Sequence, residues 1–152
     1  MDADELVGLW HSAPYEYGAM ESSELALLSD GTGWGTVANA AGGISLTLLT
    51  WRRLGADVIA IKETKVISGT WEAGQPDHLL PDGPPMSLEE VTRVRYELVH
   101  ETPPLATSPT KAVRFDPALM FAGSYAFIRS GVTLADLPTI EPAAPARDST
   151  GP

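Results

Sequence analysis

The sequence predicts an all-β fold, a single antiparallel sandwich or barrel of about eight strands. Short segments with apolar or alternating side chains recur at intervals of roughly 8–12 residues, as strands do. Turn signals rich in glycine, proline and aspartate separate these segments, and none of them has the apolar periodicity of a helix of normal length. The 152 residues fit one domain.

Three strands are predicted in the first quarter of the chain. Residues 6–12 are short and apolar, and they stop before Pro14. Residues 24–29 and 34–37 flank the tight-turn sequence DGTG at residues 30–33. This arrangement predicts a hairpin.

Two longer strands are predicted next. Residues 44–53 alternate apolar and polar side chains with one slip at Leu48 and Leu49, which is the pattern that a β-bulge produces. Residues 58–67 follow after a turn, and residues 68–71 either extend that strand or begin another.

A Pro/Gly-rich segment at residues 74–85 predicts a loop, in which we expect His78 to face solvent. Residues 87–90 (SLEE) have the capping-box pattern of a single helical turn. Residues 91–101 have the clearest strand pattern, and it places Val94, Tyr96, Leu98 and His100 on one face. A second Pro-rich loop follows at residues 102–109.

Residues 112–115 and 123–129 complete the set of strands. Between them, Asp116 as N-cap, Pro117 at the first helical position and Gly123 at the end predict a short helix. Residues 138–152 are rich in proline with little to bury, so they predict a disordered tail after a domain of residues 1–137.

Composition excludes several classes of function. Ten Lys and Arg against twenty Asp and Glu give a net charge of −10, which disfavours nucleic acid and anionic membranes as partners. Without cysteine there are no disulfides and no thiolate chemistry. His11, His78 and His100 lack metal-ligand spacing, so we expect no metal and no cofactor. The acidic N-terminus and the lack of a long apolar run predict a cytoplasmic protein.

The segment Leu6-Val-Gly-Leu-Trp10 resembles the G-x-W opening of lipocalins and related calycin barrels. The hairpin at residues 28–33 and the sequence TWRR at residues 50–53 resemble bacterial lipocalin-like domains. The resemblance covers residues 4–131 and implies a single up-and-down, lipocalin-like barrel. No T-D-Y-type motif is present, and the eleven residues 13–23 are too few for the helical lid of fatty-acid-binding proteins. An open-mouthed barrel is therefore favoured.

The resemblance also implies roles for two residues. In lipocalins the tryptophan of the motif closes the barrel floor, and an arginine at the end of the last strand packs across it. Trp10 and Arg129 are the matching residues here. The arrangement is physically reasonable because an indole fills a tapering end and a guanidinium stacks on its ring.

We expect the barrel to bind a small apolar or amphipathic molecule. The aromatic residues on several strands can equally fill the core, because an eight-stranded barrel has either a packed interior or room for one small ligand. An inward arginine would bind a ligand carboxylate, and a rim histidine could act as a base. The predicted ligand-binding residues are Trp34, Trp51, Trp71, Tyr96, Leu98, His100, Arg114, Tyr125 and Phe127.

Two other functions stay open. A barrel of this kind can be a cyclase or isomerase, for which Tyr96, Tyr125 and His100 would be the candidate acids or bases, without a catalytic set that the sequence assigns. It can also be a protein-interaction module with a filled core. In the favoured interpretation the partner is a small hydrophobic ligand, and the protein is a monomer or homodimer.

Overall fold

The computed structural model describes residues 5–15, 21–39, 42–72, 75–120 and 122–140. These ranges contain ten β-strands and two short 3-10 turns, Ala13–Tyr15 and Leu134–Asp136. The strands are β1 (Gly8–His11), β2 (Glu21–Leu27), β3 (Thr32–Asn39), β4 (Gly43–Arg53), β5 (Val58–Glu72), β6 (Gln75–Pro81), β7 (Met86–Glu101), β8 (Thr110–Leu119), β9 (Ala122–Arg129) and β10 (Thr139–Ile140).

Eight of the strands close an antiparallel barrel. Each pairs with the next in the order β1–β2–β3–β4–β5–β7–β8–β9, and β9 pairs back with β1. This confirms the predicted all-β, up-and-down architecture. The predicted hairpin is also confirmed, since β2 and β3 pair over seven residues and Gly31 between them has a φ of 90° that favours glycine.

β6 and β10 lie outside the closed barrel. The fifteen-residue β5 pairs with β7 over its first part and with β6 over residues 69–72, so residues 68–71 extend β5. β10 then pairs with β6 in parallel, through Thr139 and Ile140. The tail predicted from residue 138 therefore begins with a short strand, while residues 141–152 lie outside the described residues.

Two local predictions of helix are wrong. Residues 87–90 belong to β7, where Ser87 and Glu90 pair with residues of β5. Asp116 belongs to β8 and pairs with Arg95 of β7, so the predicted helix after it does not form. In both cases a hydrogen-bonded ladder with a distant strand outweighs a local capping signal.

The Pro/Gly-rich segment is only partly a loop. Residues 75–81 form β6, contrary to the prediction. This strand pairs with β5 on one side and for only two residues with β10 on the other, and proline is tolerated where the ladder needs no backbone N–H. No helix within the described ranges is long and apolar enough to cross a membrane.

Side chains are buried on both faces of the sheet. The barrel cluster fills the interior and consists of Leu6, Trp10, Leu25, Leu27, Leu49, Trp51, Ile59, Ile61, Val94, Tyr96, Val113, Phe115, Leu119, Ala122 and Tyr125. The outer cluster lies on the opposite face and consists of Ala26, Leu28, Trp34, Ile44, Leu46, Ile67, Leu79 and Val132. Residues 130–140, which we call the C-terminal strap, supply Val132 to this second cluster.

β4 shows how one strand serves both clusters. Ile44 and Leu46 point outward, whereas Leu49 and Trp51 point into the barrel, in an alternation that runs unbroken along β4. The register between β4 and β5 does shift between Leu48 and Leu49, as the sequence predicts for this position, but the unpaired extra residue is Thr64 of β5. Its hydroxyl donates to the carbonyl oxygen of Leu48 at 3.1 Å.

Candidate functional site

Trp10, the third of the four residues of β1, is fully buried inside the barrel. Its indole N–H donates to the carbonyl oxygen of Leu6 at 2.9 Å. The ring of Phe127 packs edge-on against it, with centroids 5.1 Å apart and an interplanar angle of 73°. This edge-to-face geometry is a favourable one for two aromatic rings.

The cation beside Trp10 is Lys111, and the expectation that Arg129 would take this position is wrong. The ammonium of Lys111 lies 5.4 Å from the centroid of the Trp10 ring and 4.6 Å from that of Phe127. Leu9 points to the outer face because its neighbour Trp10 points inward. Arg129 pairs with Leu9 and so lies on the same face. Its guanidinium therefore lies outside the barrel, with Nη2 2.9 Å from Oδ1 of Asp136.

Five of the nine predicted ligand-binding residues lie in the barrel interior. Trp51, Tyr96 and Tyr125 belong to the barrel cluster, and Leu98 and Phe127 pack against it. Their polar atoms are bonded within the protein: Trp51 donates to the Leu28 carbonyl at 3.0 Å, Tyr96 to that of Ala56 at 3.0 Å, and Tyr125 to that of Leu119 at 2.8 Å. No buried side-chain nitrogen or oxygen among the described residues lacks a partner. These aromatic residues stabilise the barrel.

Two more predicted residues lie at the surface where β7 meets β8. His100 continues the inward register of β7 but is exposed at the end of the strand. Arg114 points outward and forms ion pairs with Glu97 and Glu101. Glu101 also accepts a hydrogen bond of 2.6 Å from the hydroxyl of Tyr15, and burial together with this carboxylate raises the pKa of Tyr15.

Trp34 and Trp71, the last two predicted residues, line a cavity of about 640 Å³ on the outer face. We call it the lateral cavity. Its walls are the outward faces of β1, β2 and β3, the region where β5 meets β6, and the C-terminal strap. The lining residues are Leu9, Ser22, Glu24, Trp34, Thr36, Ala38, Trp71, His78, Arg129, Ala135, Asp136, Leu137, Pro138 and Thr139.

Both apolar and polar contacts hold the strap over this face. Val132 is 7% exposed within the outer cluster, and Leu137 and Ile140 pack against the cluster. Thr133 caps the 3-10 turn of the strap, and its backbone N–H donates to Oδ2 of Asp136 at 2.9 Å. Asp136 thereby joins the turn to Arg129 of β9.

The lateral cavity has mixed charge. Arg129 and His78 face the same space as the carboxylates of Glu24 and Asp136. The Thr133 N–H and the Arg129 guanidinium lower the pKa of Asp136, which favours its charged form. An indole wall beside such groups suits a molecule with an apolar body and a polar end.

Sequence reasoning missed the lateral cavity as a place, although two of its tryptophans were predicted. Arg129, His78 and Glu24 lie on different strands and meet only on the outer face. The sequence does contain a signal for this face: Ile44 and Leu46 are apolar although they alternate onto the face of β4 opposite to Leu49 and Trp51. The described residues contain no group of three or more His, Asp or Glu that could hold a metal ion.

Comparison of the chain with known protein families, curated proteins and solved structures finds no match. A function for the chain is therefore argued from its own geometry.

Proposed function

We propose that this protein is a lipocalin-like carrier that binds a small amphipathic molecule, and that the lateral cavity is its binding site. The observation that carries the proposal is the cavity itself. Its volume of about 640 Å³ lies within the range of roughly 300–1,000 Å³ that is usual for small-molecule sites. The barrel architecture is compatible with such a role, while the site is on the outer face and not in the interior.

The lining indicates how the ligand would lie. Leu9, Trp34, Trp71 and Leu137 offer an apolar wall to the body of the molecule. Arg129, whose Nη2 is bonded to Asp136, offers its other guanidinium N–H groups to a polar or anionic end. The packed aromatic residues of the barrel cluster form the rigid support beneath this site.

Filling the cavity tests the proposal. Ala38 lines the cavity, so Ala38→Trp should block it and lower the affinity for fluorescent lipophilic probes and long-chain fatty acids by about tenfold or more, in keeping with the importance of well-packed pockets. The matched control is Ala56→Trp, because Ala56 is exposed in the turn between β4 and β5. Binding is followed by the change in tryptophan or probe fluorescence.

Three results would be informative. Saturable binding that Ala38→Trp abolishes and Ala56→Trp preserves supports the lateral cavity. Saturable binding that neither variant changes would place the ligand elsewhere and contradict the proposal. The lack of binding of every probe by the folded wild-type protein would also contradict it.

A further inference from the structure

A compact group of cations lies on another part of the barrel surface. Arg52 and Arg93 are register neighbours on either side of Ala60, across β4, β5 and β7. All three point outward because Ile61, next along β5, points into the barrel cluster. Lys62 is the next outward-facing residue along β5, and it pairs with Thr50 of β4 and with Val91 of β7. We call these six residues the basic face: Thr50, Arg52, Ala60, Lys62, Val91 and Arg93.

The cations of the basic face have few carboxylate partners, although this chain is acidic. Carboxylates outnumber Lys and Arg by twenty to ten, and Arg114 and Arg129 each form an ion pair with a carboxylate. In the part of the chain that the structure describes, Arg52 and Arg93 form no ion pair. Lys62 is 3.6 Å from Glu89, whose side chain is 86% exposed, so solvent and salt weaken that pair.

A groove of about 510 Å³ is lined by Arg52 and Lys62, whereas Arg93 lies outside it. Its lining residues are Asp30, Gly31, Thr32, Thr50, Trp51, Arg52, Ala60, Lys62 and Val91. The carboxylate of Asp30 accepts hydrogen bonds from the backbone N–H and the hydroxyl of Thr32. Val91 is 59% exposed, which adds an apolar contact to the charged ones. Arginine next to exposed apolar surface is typical of the centre of a protein–protein contact.

We propose that the basic face binds a short acidic segment of a partner protein, with its carboxylates on Arg52, Lys62 and Arg93 and an apolar side chain against Val91. The face spans three strands, about 10 Å in width, and two register rows along them, about 7 Å in length. The area of the basic face is therefore far below the roughly 800 Å² per partner of a standard protein interface, and the face can accommodate a few residues of an extended peptide.

Charge complementarity favours an acidic peptide over a nucleic acid. The carboxylates of a short segment end where the basic face ends. A nucleic-acid backbone extends beyond it over a protein of net charge −10 and is repelled there. At ionic strengths near 0.1 M the Debye length is about 10 Å, so the repulsion from the rest of the surface is screened while contacts within the face persist.

The test uses the full-length protein and three fluorescein-labelled probes in fluorescence anisotropy. The probes are a six-residue peptide of five glutamates and one leucine, a six-residue peptide of five lysines and one leucine, and a single-stranded thymidine oligonucleotide of similar length. Arg93→Gln and Arg52→Gln remove one charge each from the basic face. Lys65→Gln is the matched control, because Lys65 is exposed on β5 and belongs neither to the basic face nor to the groove.

We expect the glutamate peptide to bind saturably, the lysine peptide to bind less well, and the oligonucleotide to bind most weakly. Each arginine variant should weaken binding of the glutamate peptide by about fivefold or more, with the double variant weakest, whereas Lys65→Gln should change it by less than about twofold. Circular dichroism verifies that each variant is folded.

Other results overturn the proposal. They are the lack of saturable binding of the glutamate peptide to the wild-type protein, an equal loss in Lys65→Gln, or tighter binding of the oligonucleotide. Because the basic face and the lateral cavity share no residue, a failure here leaves the proposed small-molecule function intact, and the reverse also holds.

Discussion

The barrel cluster and the outer cluster lie back to back on the same strands, yet they are assembled differently. Seven of the eight barrel strands contribute to the barrel cluster, β3 alone adding no side chain to it. The outer cluster uses only β2 to β6 and is completed by the C-terminal strap. A cluster enclosed by a closed sheet is fixed by the ladder itself, whereas a cluster under a strap depends on a segment that can detach.

The difference predicts which changes are global and which are local. Loss of packing in the barrel cluster should lower the free energy of unfolding of the whole domain. Loss of packing in the outer cluster should in addition free the strap and the lateral cavity. Five substitutions separate these effects.

The largest effect is expected for Trp10→Ala. Trp10 is fully buried and central to the barrel cluster, so the lost packing and the resulting cavity should cost about 3–5 kcal/mol of the free energy of unfolding. Urea denaturation followed by circular dichroism measures it. A loss below about 1 kcal/mol would contradict the view that the barrel cluster fixes the fold.

Leu79→Ala is expected to cost about 2–4 kcal/mol, because Leu79 is fully buried in the outer cluster. Unlike Trp10→Ala, this variant should also have a local effect on the strap. Amide hydrogen exchange should become faster in residues 132–140 than in β7 and β8, since the strap loses its packing partner. Uniform acceleration over all strands would show that the two clusters unfold as one unit.

Tyr125→Phe is expected to cost about 1–2 kcal/mol, since buried groups lose their partner without a large change in volume. The hydroxyl of Tyr125 donates to the Leu119 carbonyl and lies 2.8 Å from Oγ of Ser23. A double-mutant cycle with Ser23→Ala isolates the bond between the two side chains. Strict additivity in that cycle would show that this bond contributes nothing.

Glu63→Gln should change the pH dependence of stability. Glu63 is inward next to Leu49 and opposite Glu90, and burial, followed by the Glu90 charge, raises its pKa in the native state. Stability should therefore fall as pH rises from the ordinary carboxyl value through the raised native one. In thermal denaturation measured between about pH 4 and 7, Glu63→Gln should remove this decrease in stability with rising pH. An unchanged slope would contradict the assignment.

Asp136→Asn is the smallest effect and has the opposite sign. The pKa of Asp136 is lowered in the native state, so its contribution is present above the ordinary carboxyl value and is lost as pH falls through the native one. The variant should abolish this acid-side loss and speed exchange in the strap. An identical acid profile and identical exchange would show that the Arg129 contact does not hold the strap.

Much of the barrel was predictable because each strand has a short-range alternating pattern and most strands pair with the next one along the chain. The alternation of Val94, Tyr96 and Leu98 places them on one face of β7, which the structure shows to be the inward face, and Trp10 lies in the barrel interior as the G-x-W resemblance implies. What failed were local helix signals at residues 87–90 and after Asp116. These signals compete with ladder bonds to strands that are distant in sequence.

The candidate site was harder to predict, since it depends on which faces are covered. Trp34 and Trp71 were predicted to line an interior cup, whereas they line a cavity on the outer face, because alternation gives the face of a residue and not what packs on that face. The apolar outward phase of Ile44 and Leu46 becomes intelligible only once Val132 and Leu137 are known to lie over it. Likewise, nothing near Lys111 in the sequence indicates its position over Trp10.

The two-residue strand β10 has a consequence for solubility. β6 lies outside the closed barrel and pairs with β5 along one edge. Along its other edge the backbone groups have no barrel strand as a partner, and β10 pairs with them at His78 and Leu79. Uncovered strands of this kind recruit other chains and seed aggregates. Detachment of the strap would expose them next to the apolar Leu79 and Leu80, so we expect the few residues of β10 to reduce self-association of this protein.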